Sequence, residues 1–145
     1  MTAEQSEHGT AAVREAKTVL WLSRALQVLE SDLAAELSMT DIAAFVNLSK
    51  AHFFSSFRRS IGQTPHQWRL KVRIAAAQVD LIELPLCMAE IAQKYGFSDQ
   101  AHFTRSFRQI VGETPGSWRT RARQNRFNAV VDNTDPASKP AIFMA

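Results

Sequence analysis

The sequence predicts an all-α fold of seven helices, arranged as two similar modules joined by a long linker helix. Hydrophobic residues make up 46% of the 145 residues, which is enough to fill a core. The chain has only five Gly and five Pro, and strand-like alternation of apolar and polar residues is scarce. A block of sequence also occurs twice, because residues 51–69 and 101–119 are identical at 11 of 19 positions. Two copies alone indicate two modules and not a solenoid, which needs more repeats.

The upstream part of the repeat has an offset of 49 residues instead of 50. The matching pairs there are Ile42-Ala43 with Ile91-Ala92, and Leu48-Ser49 with Phe97-Ser98. The second copy therefore contains one extra residue, near Asp99-Gln100.

The first predicted helix precedes the repeat. Its apolar residues alternate spacings of three and four, which is typical of an amphipathic helix that covers one side of a module. These residues are Val19, Leu22, Leu26, Leu29 and Leu33.

The first module, residues 18–63, contains two helices joined by a short turn. Ser38, with an acidic residue three positions later, predicts a helix N-terminus, and Asn47 suits the left-handed turn that ends this helix. Ser49 predicts the start of the next helix, which runs to about Ser60. Two helices joined by a turn of three or four residues form a helix-turn-helix motif, whose second helix enters the major groove of DNA.

A long linker helix is predicted over residues 64–84. Thr64-Pro65 predicts its start and Pro85 its end. Its apolar residues form two faces, so we expect it to pack against both modules as a rigid connector. One face consists of Leu70, Ile74, Ala77 and Leu81, and the other of Trp68, Val72, Ala75, Val79 and Ile82.

The second module, residues 86–123, repeats the pattern of the first. The predicted elements are a helix over 88–94, a left-handed turn at Gly96 and a helix over 98–111. Thr114-Pro115 then predicts the start of the seventh helix.

The two ends of the chain are predicted to lie outside the folded domain, which spans residues 18–123. Residues 1–17 are polar and Ala-rich, and we expect a flexible N-terminal segment. Residues 124–145 contain an Asn-Asp-Asn-Thr-Asp-Pro run and a Lys-Pro pair, which predict a C-terminal tail.

Basic residues cluster in the two copies of the repeat. The net charge is only +3, yet residues 1–48 hold seven acids and three bases. Residues 49–73 hold six bases and no acid, and residues 100–126 hold six bases and one acid. The bases are Lys50, Arg58, Arg59, Arg69, Lys71 and Arg73 in the first block, and Arg105, Arg108, Arg119, Arg121, Arg123 and Arg126 in the second. Two such blocks at matching places indicate a polyanionic partner.

Other function classes find little support in the sequence. Cys87 is the single cysteine, so no internal disulfide can form, as expected in a reducing cytoplasm. No secretory signal or transmembrane helix is predicted. His52 and His102 lack a third metal ligand nearby, and neither a phosphate-binding glycine loop nor a nucleophile–base set is present. The sequence thus predicts no enzyme, no metal site and no cofactor.

The repeat resembles the DNA-binding domain of the AraC/XylS family of bacterial transcription regulators. The resemblance covers residues 18–123 and is most specific at Gly96–Arg108 and Gly112–Arg119. It implies two homeodomain-like helix-turn-helix repeats on a linker helix. By its length the chain is similar to the stand-alone members, which bind double-stranded DNA as monomers in the cytoplasm. The resemblance further implies transcriptional activation, with RNA polymerase as a candidate partner and no small-molecule effector.

The predicted recognition helices are the third and the sixth. Phe53, Phe57, Phe103, Phe107, Trp68 and Trp118 are assigned to the core, which leaves other positions to face DNA. The predicted base contacts are Ala51, His52, Phe54, Ser55, Gln100, Ala101, His102, Thr104 and Arg105. The predicted phosphate contacts are Ser49, Lys50, Arg58, Arg59, Ser98, Arg108 and Arg119. For Arg69 and Arg119, which follow the tryptophans, a structural role is equally open.

Three alternatives to sequence-specific regulation remain. Non-specific or architectural DNA binding is favoured slightly by the few hydrogen-bonding groups at Ala51, Phe54 and Ser55. An enzyme using Cys87 or a histidine lacks a supporting constellation. A basic membrane-surface helix is the weakest alternative, because the bases follow the repeat and not one amphipathic stripe.

Overall fold

A computed structural model describes residues 3–134 of the chain, with side chains from 9 to 133. Seven α-helices occur in this range and no strand does, which confirms the predicted fold class. The helices are α1 (Ala3–Ser31), α2 (Met39–Phe45), α3 (Lys50–Ile61), α4 (Pro65–Glu83), α5 (Met88–Lys94), α6 (Gln100–Val111) and α7 (Pro115–Thr134). None of these helices has the length and hydropathy that crossing a membrane requires.

The chain forms two compact units, Met1–Arg73 and Ile74–Ala145. The boundary between them falls within α4, the helix that the sequence predicts as a linker. Each unit contains one of the two helix-turn-helix motifs, α2–α3 in the first and α5–α6 in the second.

Side-chain caps fix the helix starts, largely where the sequence predicts them. The hydroxyl of Ser38 accepts a hydrogen bond from the backbone N–H of Asp41 at 3.2 Å, which caps α2. Thr64 and Gln67 form a reciprocal capping box at the start of α4, with bonds of 3.2 and 3.0 Å. Thr114 accepts from the N–H of Ser117 at the start of α7. These bonds satisfy N–H groups that a helix leaves without an internal partner.

Both helix-turn-helix motifs turn on one residue in the left-handed conformation, as predicted. Asn47 has φ +59° and Gly96 has φ +73°. In each turn a backbone N–H donates to a carbonyl of the preceding short helix. Leu48 donates to Ala43 at 2.8 Å, and Phe97 donates to Ala92 at 2.9 Å. The turn keeps the same hydrogen bonding in both copies, although glycine replaces asparagine in the second.

The core of the first unit gathers around α3. Phe53 and Phe57 are fully buried, and the other buried members of the cluster are Ala25, Leu29, Met39, Ile42, Ala43 and Val46. Leu22, Leu26 and Trp68 pack partly against this cluster. The predicted placement of Val19 on the buried stripe of α1 is wrong, because its side chain is 67% exposed. The described side chains from Gly9 to Leu20 are all exposed, so α1 extends past the core that it covers.

The core of the second unit is built on Phe103 and Phe107, which are also fully buried. Phe97 lies against Phe103 with ring centroids 5.1 Å apart, and Trp118 lies 6.0 Å from Phe107. Ile74, Ala77 and Leu81 of α4 are buried, as predicted for one of its two apolar faces. The other predicted face is not buried throughout, since Ala75 and Val79 are exposed.

The helices at both ends are longer than the sequence predicts. Helix α1 includes the described part of the segment predicted as flexible, and α7 continues ten residues past 124. Residues 3–17 lack proline and have a single glycine, so helix propensity alone permits this extension. Arg126 of α7 pairs with Glu83 of α4, which ties the extended α7 to its own unit. The end of the predicted tail, residues 135–145, lies outside the described residues, and the limits at 18 and 123 stay a prediction.

Candidate nucleic-acid interface

Two arginines of α4 bind backbone carbonyls of their own unit. Arg69 donates from Nη1 to the carbonyl of Leu29 at 2.6 Å, and from Nη2 to those of Asp32 and Ala35 at 2.6 Å. Arg73 donates from Nε to the carbonyl of Leu33 at 2.7 Å. These carbonyls belong to the last turn of α1 and the loop after it, where the helix dipole favours cations. Burial, and secondarily repulsion from Arg73, lowers the pKa of the Arg69 guanidinium.

The second unit repeats this arrangement at an offset of 50 residues. Arg119 donates from Nη2 to the carbonyl of Leu86 at 2.6 Å, and Arg123 donates from Nη2 to that of Leu84 at 3.0 Å. We call each pair, Arg69 with Arg73 and Arg119 with Arg123, an arginine clamp. The clamp favours the structural role for both Arg69 and Arg119. The predicted phosphate contact of Arg119 loses its support, because this guanidinium is half-buried and already bonded to its own unit.

The remaining bases of α7 are also engaged within their unit. Arg121 pairs with Glu113, and Arg126 pairs with Glu83. The basic block over 100–126 therefore contributes only two uncommitted cations, Arg105 and Arg108, both exposed on α6. In the sequence all six bases form one block, because a charge count does not show which of them pair with residues distant along the chain.

Four bases of the first block remain exposed. Three lie on or at the start of α3 and one on α4: Lys50, Arg58, Arg59 and Lys71. In the part of the chain that the structure describes, none of them forms an ion pair, and the same holds for Arg105 and Arg108. Of these six exposed bases of the two blocks, five therefore lie on the two predicted recognition helices and one, Lys71, lies on α4.

Helix α3 presents most of its predicted base contacts to solvent. Ala51, His52 and Ser55 are exposed. Phe54 is half-buried, with its ring 6.0 Å from that of Phe53 and 5.7 Å from that of His66, so only part of it is accessible. Predicted phosphate contact Ser49 also caps α3, since its hydroxyl accepts from an N–H in the first turn at 3.2 Å.

Helix α6 presents Gln100, Ala101 and Arg105 to solvent, while Thr104 is half-buried. His102 is half-buried too, and its Nδ1 lies 3.2 Å from the hydroxyl of Ser98 and 3.4 Å from the backbone nitrogen of Ser98. Its ring edge also packs on Phe97 at 5.3 Å. Two predicted DNA contacts, His102 and Ser98, are therefore partly committed to each other.

The extra residue of the second copy explains this difference between the two histidines. Asp99 caps α6, accepting from the N–H of His102 at 2.7 Å, so α6 begins at Gln100 and not at Ser98 as predicted. Ser98 is thereby free to contact the imidazole. In the first copy Ser49 is the cap, and no described residue holds the His52 ring. The change of offset in the repeat was the signal for this difference.

A carboxylate on α4 positions the short helix α5. Asp80 accepts from the hydroxyl of Tyr95 at 2.6 Å and pairs with Lys94 at 2.5 Å. Burial alone would raise the pKa of Asp80, but these two hydrogen bonds outweigh it and hold the pKa below its usual value. Burial and the same carboxylate raise the pKa of Tyr95. At the start of α5, Glu90 accepts from the N–H of Cys87 at 2.7 Å.

Known proteins resemble this chain in both sequence and fold. A family model described as a helix-turn-helix domain matches residues 42–121. The Msm operon regulatory protein of Streptococcus mutans is 30% identical over 82 residues, which is 57% of this chain and 30% of that protein. The chain thus spans less than a third of the length of this curated relative.

Two solved structures share the fold. One is the DNA-binding domain of the global transcriptional factor AdpA in complex with a target DNA, with a TM-score of 0.68 and 26% identity over 72% of this chain and 95% of that one. The other is a probable AraC family transcriptional regulator from Rhodopseudomonas palustris, with a TM-score of 0.65 and 27% identity over 71% and 97%.

Proposed function

This chain belongs to the family of AraC-type helix-turn-helix domains, and from that premise we propose that it is a sequence-specific regulator of transcription. The family and the fold are those of DNA-binding regulators, and we propose no catalytic activity or cofactor. One observation supports the proposal most strongly. Five of the six uncommitted bases in the two blocks lie on α3 and α6, whereas the arginines of α4 and α7 are bonded within their own units.

In the second unit, α6 reads bases by hydrogen bonding. Arg105 is exposed and unpaired among the described residues, so its guanidinium can donate two bonds to a guanine. Such a bidentate contact discriminates against other bases by about 1–3 kcal/mol. Gln100, exposed in the first turn, has the amide that pairs with adenine. Ala101 and the accessible parts of Thr104 and His102 complete this surface.

In the first unit, α3 offers other chemistry. Ala51 and the accessible edge of Phe54 suit thymine methyl groups, while Ser55 and His52 can donate or accept hydrogen bonds. Phosphates are bound by the exposed cations of both helices and by the hydroxyls of the serines that precede them. These residues are Ser49, Lys50, Arg58, Arg59, Ser98 and Arg108.

The finer parts of the proposal concern how the protein acts on DNA. We propose that α3 and α6 each enter the major groove of one duplex, in successive segments, as paired recognition helices do. We further propose that the protein binds as a monomer in the cytoplasm and activates transcription through RNA polymerase. The operon regulator among its relatives supports a role at promoters.

The experiment that tests the proposal is selection of binding sites from random duplexes at fixed salt. We expect one enriched sequence, bound at least about 10³-fold more tightly than unrelated duplexes under the same conditions. Equal affinity for all duplexes would favour the architectural alternative. An in vitro transcription assay on the selected site, with and without the protein, then distinguishes activation from repression.

A further inference from the structure

A polar cleft runs between α1 and α3 in the first unit, beside the surface that we propose faces bases. It has a volume of about 260 Å³. Its lining residues are Thr18, Trp21, His52, Ser56, Arg59 and Ser60. No acidic side chain lines it, and one wall is the indole of Trp21, which packs edge-on against Phe53 at 6.2 Å.

The polar groups of this cleft are available for a ligand. Over the described range, Arg59 has no carboxylate partner, and neither the Ser56 hydroxyl nor the Ser60 hydroxyl makes a hydrogen bond. The His52 ring has no hydrogen-bond partner in that range either. On the α1 side, Thr18 donates to the carbonyl of Arg14 at 2.9 Å and keeps lone pairs free. A guanidinium, two serine hydroxyls and an imidazole therefore share one cleft without an internal partner.

The second unit has no counterpart of this set of groups. At the positions of Arg59 and Ser60, 50 residues on, it carries Gln109 and Ile110. The position of Ser56 is occupied by Ser106, which is 6% exposed and so inaccessible. The histidine at the position of His52 is held by the preceding serine, as described above. The cleft is thus a property of the first copy and not of the repeat.

We propose that this cleft binds a phosphate of the DNA backbone and thereby anchors the first unit on the duplex. The inference rests on the proposed function. Guanidinium and hydroxyl donors that line one cleft suit phosphate oxygens, which arginine binds with directed hydrogen bonds. The proposed base-facing side chains of α3 offer fewer directed donors than those of α6, since Ser55 stands where α6 has Arg105. Phosphate contacts fix register and orientation without conveying sequence.

The test replaces the cleft residues of the first copy by those of the second. The double variant R59Q/S60I removes the cation and one hydroxyl at exposed positions, with side chains that the second unit accommodates. Binding of the selected duplex and of unrelated duplexes is measured by fluorescence anisotropy at several salt concentrations. We expect the slope of log K against log salt to fall by about 0.9, the value for one phosphate contact. The ratio of affinities between duplexes should not change.

Two further variants separate the cleft from general charge. Lys71→Gln removes one exposed cation of α4 outside the cleft, and it should leave the slope nearly unchanged. Ser56→Ala removes a donor without changing charge, and it should weaken binding to every duplex by about two- to tenfold, the value of one hydrogen bond. Helical melting of each variant confirms that it is folded.

The inference is overturned if R59Q/S60I changes the slope no more than Lys71→Gln does, or if it changes preference at one base pair. It is overturned as well if inorganic phosphate at constant ionic strength saturates the cleft at low millimolar concentration, which would assign the site to a free anion. The NMR signal of the Trp21 indole, identified with Trp21→Phe, reports that binding. If the unmodified protein prefers no duplex, the proposed regulatory function fails instead, whatever the slope shows.

Discussion

Replacing Arg105 and Arg108 one at a time separates base recognition from phosphate binding on a single helix. Both side chains are exposed on α6 and unpaired within the described chain, and they differ by three positions along the helix. Arg105→Ala removes the proposed bidentate contact to guanine. Arg108→Ala is the matched control, because it removes the same charge from a side chain assigned to phosphate.

The size of the effect follows from the type of contact. A bidentate arginine–guanine pair is worth about 1–3 kcal/mol, which corresponds to about five- to 150-fold in affinity. Arg105→Ala should lose that factor on the selected duplex and almost none on a duplex with the guanine replaced. Arg108→Ala should weaken both duplexes alike and lower the salt slope by about 0.9. Exposed side chains contribute little to folding, so both variants should remain within about 0.5 kcal/mol of the unmodified protein in stability.

The assay is fluorescence anisotropy with the selected duplex and with single substitutions at each base pair, at fixed salt. A preference that relaxes at one position in Arg105→Ala alone supports the assignment. If Arg105→Ala weakens all duplexes by one common factor, Arg105 contacts phosphate and the reasoning about α6 is wrong. If neither variant changes binding, α6 does not contact DNA.

Three other changes test the first unit, the core and the polar contacts of α5. Arg58→Ala should weaken binding to every duplex and lower the salt slope by about one, and an unchanged slope would remove its phosphate assignment. Trp68→Ala should destabilise the fold by about 3 kcal/mol, the low end for a tryptophan, because the residue is half-buried. A melting temperature near that of the unmodified protein would contradict the packing role of Trp68. Asp80→Asn should lose the ion pair with Lys94 and weaken the bond from Tyr95. Because the pKa of Asp80 is lowered in the fold, its contribution to the free energy of unfolding should be fully present above about pH 4 and should disappear as the pH falls below that value. Chemical denaturation should therefore show the stabilities of Asp80→Asn and the unmodified protein converging at acid pH.

The sequence predicted the local features of the fold well, because each of them depends on neighbouring residues. Ser38 and Thr64 cap helices with atoms three residues away, and Asn47 and Gly96 adopt the left-handed turn on their own preferences. The duplicated block further indicated that these helices and turns form two similar motifs. Such signals can be recognised without knowing which distant segments meet.

Features that depend on tertiary partners were predicted less well. Arg119, Arg121 and Arg105 look alike in a sequence, yet one binds a carbonyl, one pairs with Glu113 and one remains free. Val19 fits the helical period of α1, but the core ends before it reaches that turn. His102 differs from His52 because one inserted residue moved the cap, an effect that becomes visible only in the hydrogen bonds.

The arginine clamps bear on how the two halves could diverge after duplication. The arginines donate to main-chain carbonyls, so the segments that they bind need the right backbone conformation but no particular side chain. Residues 32–37 and 84–87 indeed have dissimilar sequences, while the arginines that hold them are the same at both places. Because the arginines bind peptide oxygens, the side chains of the connecting segment can change without loss of these hydrogen bonds. The sequence requirement of each clamp therefore falls on the two arginine positions of one helix.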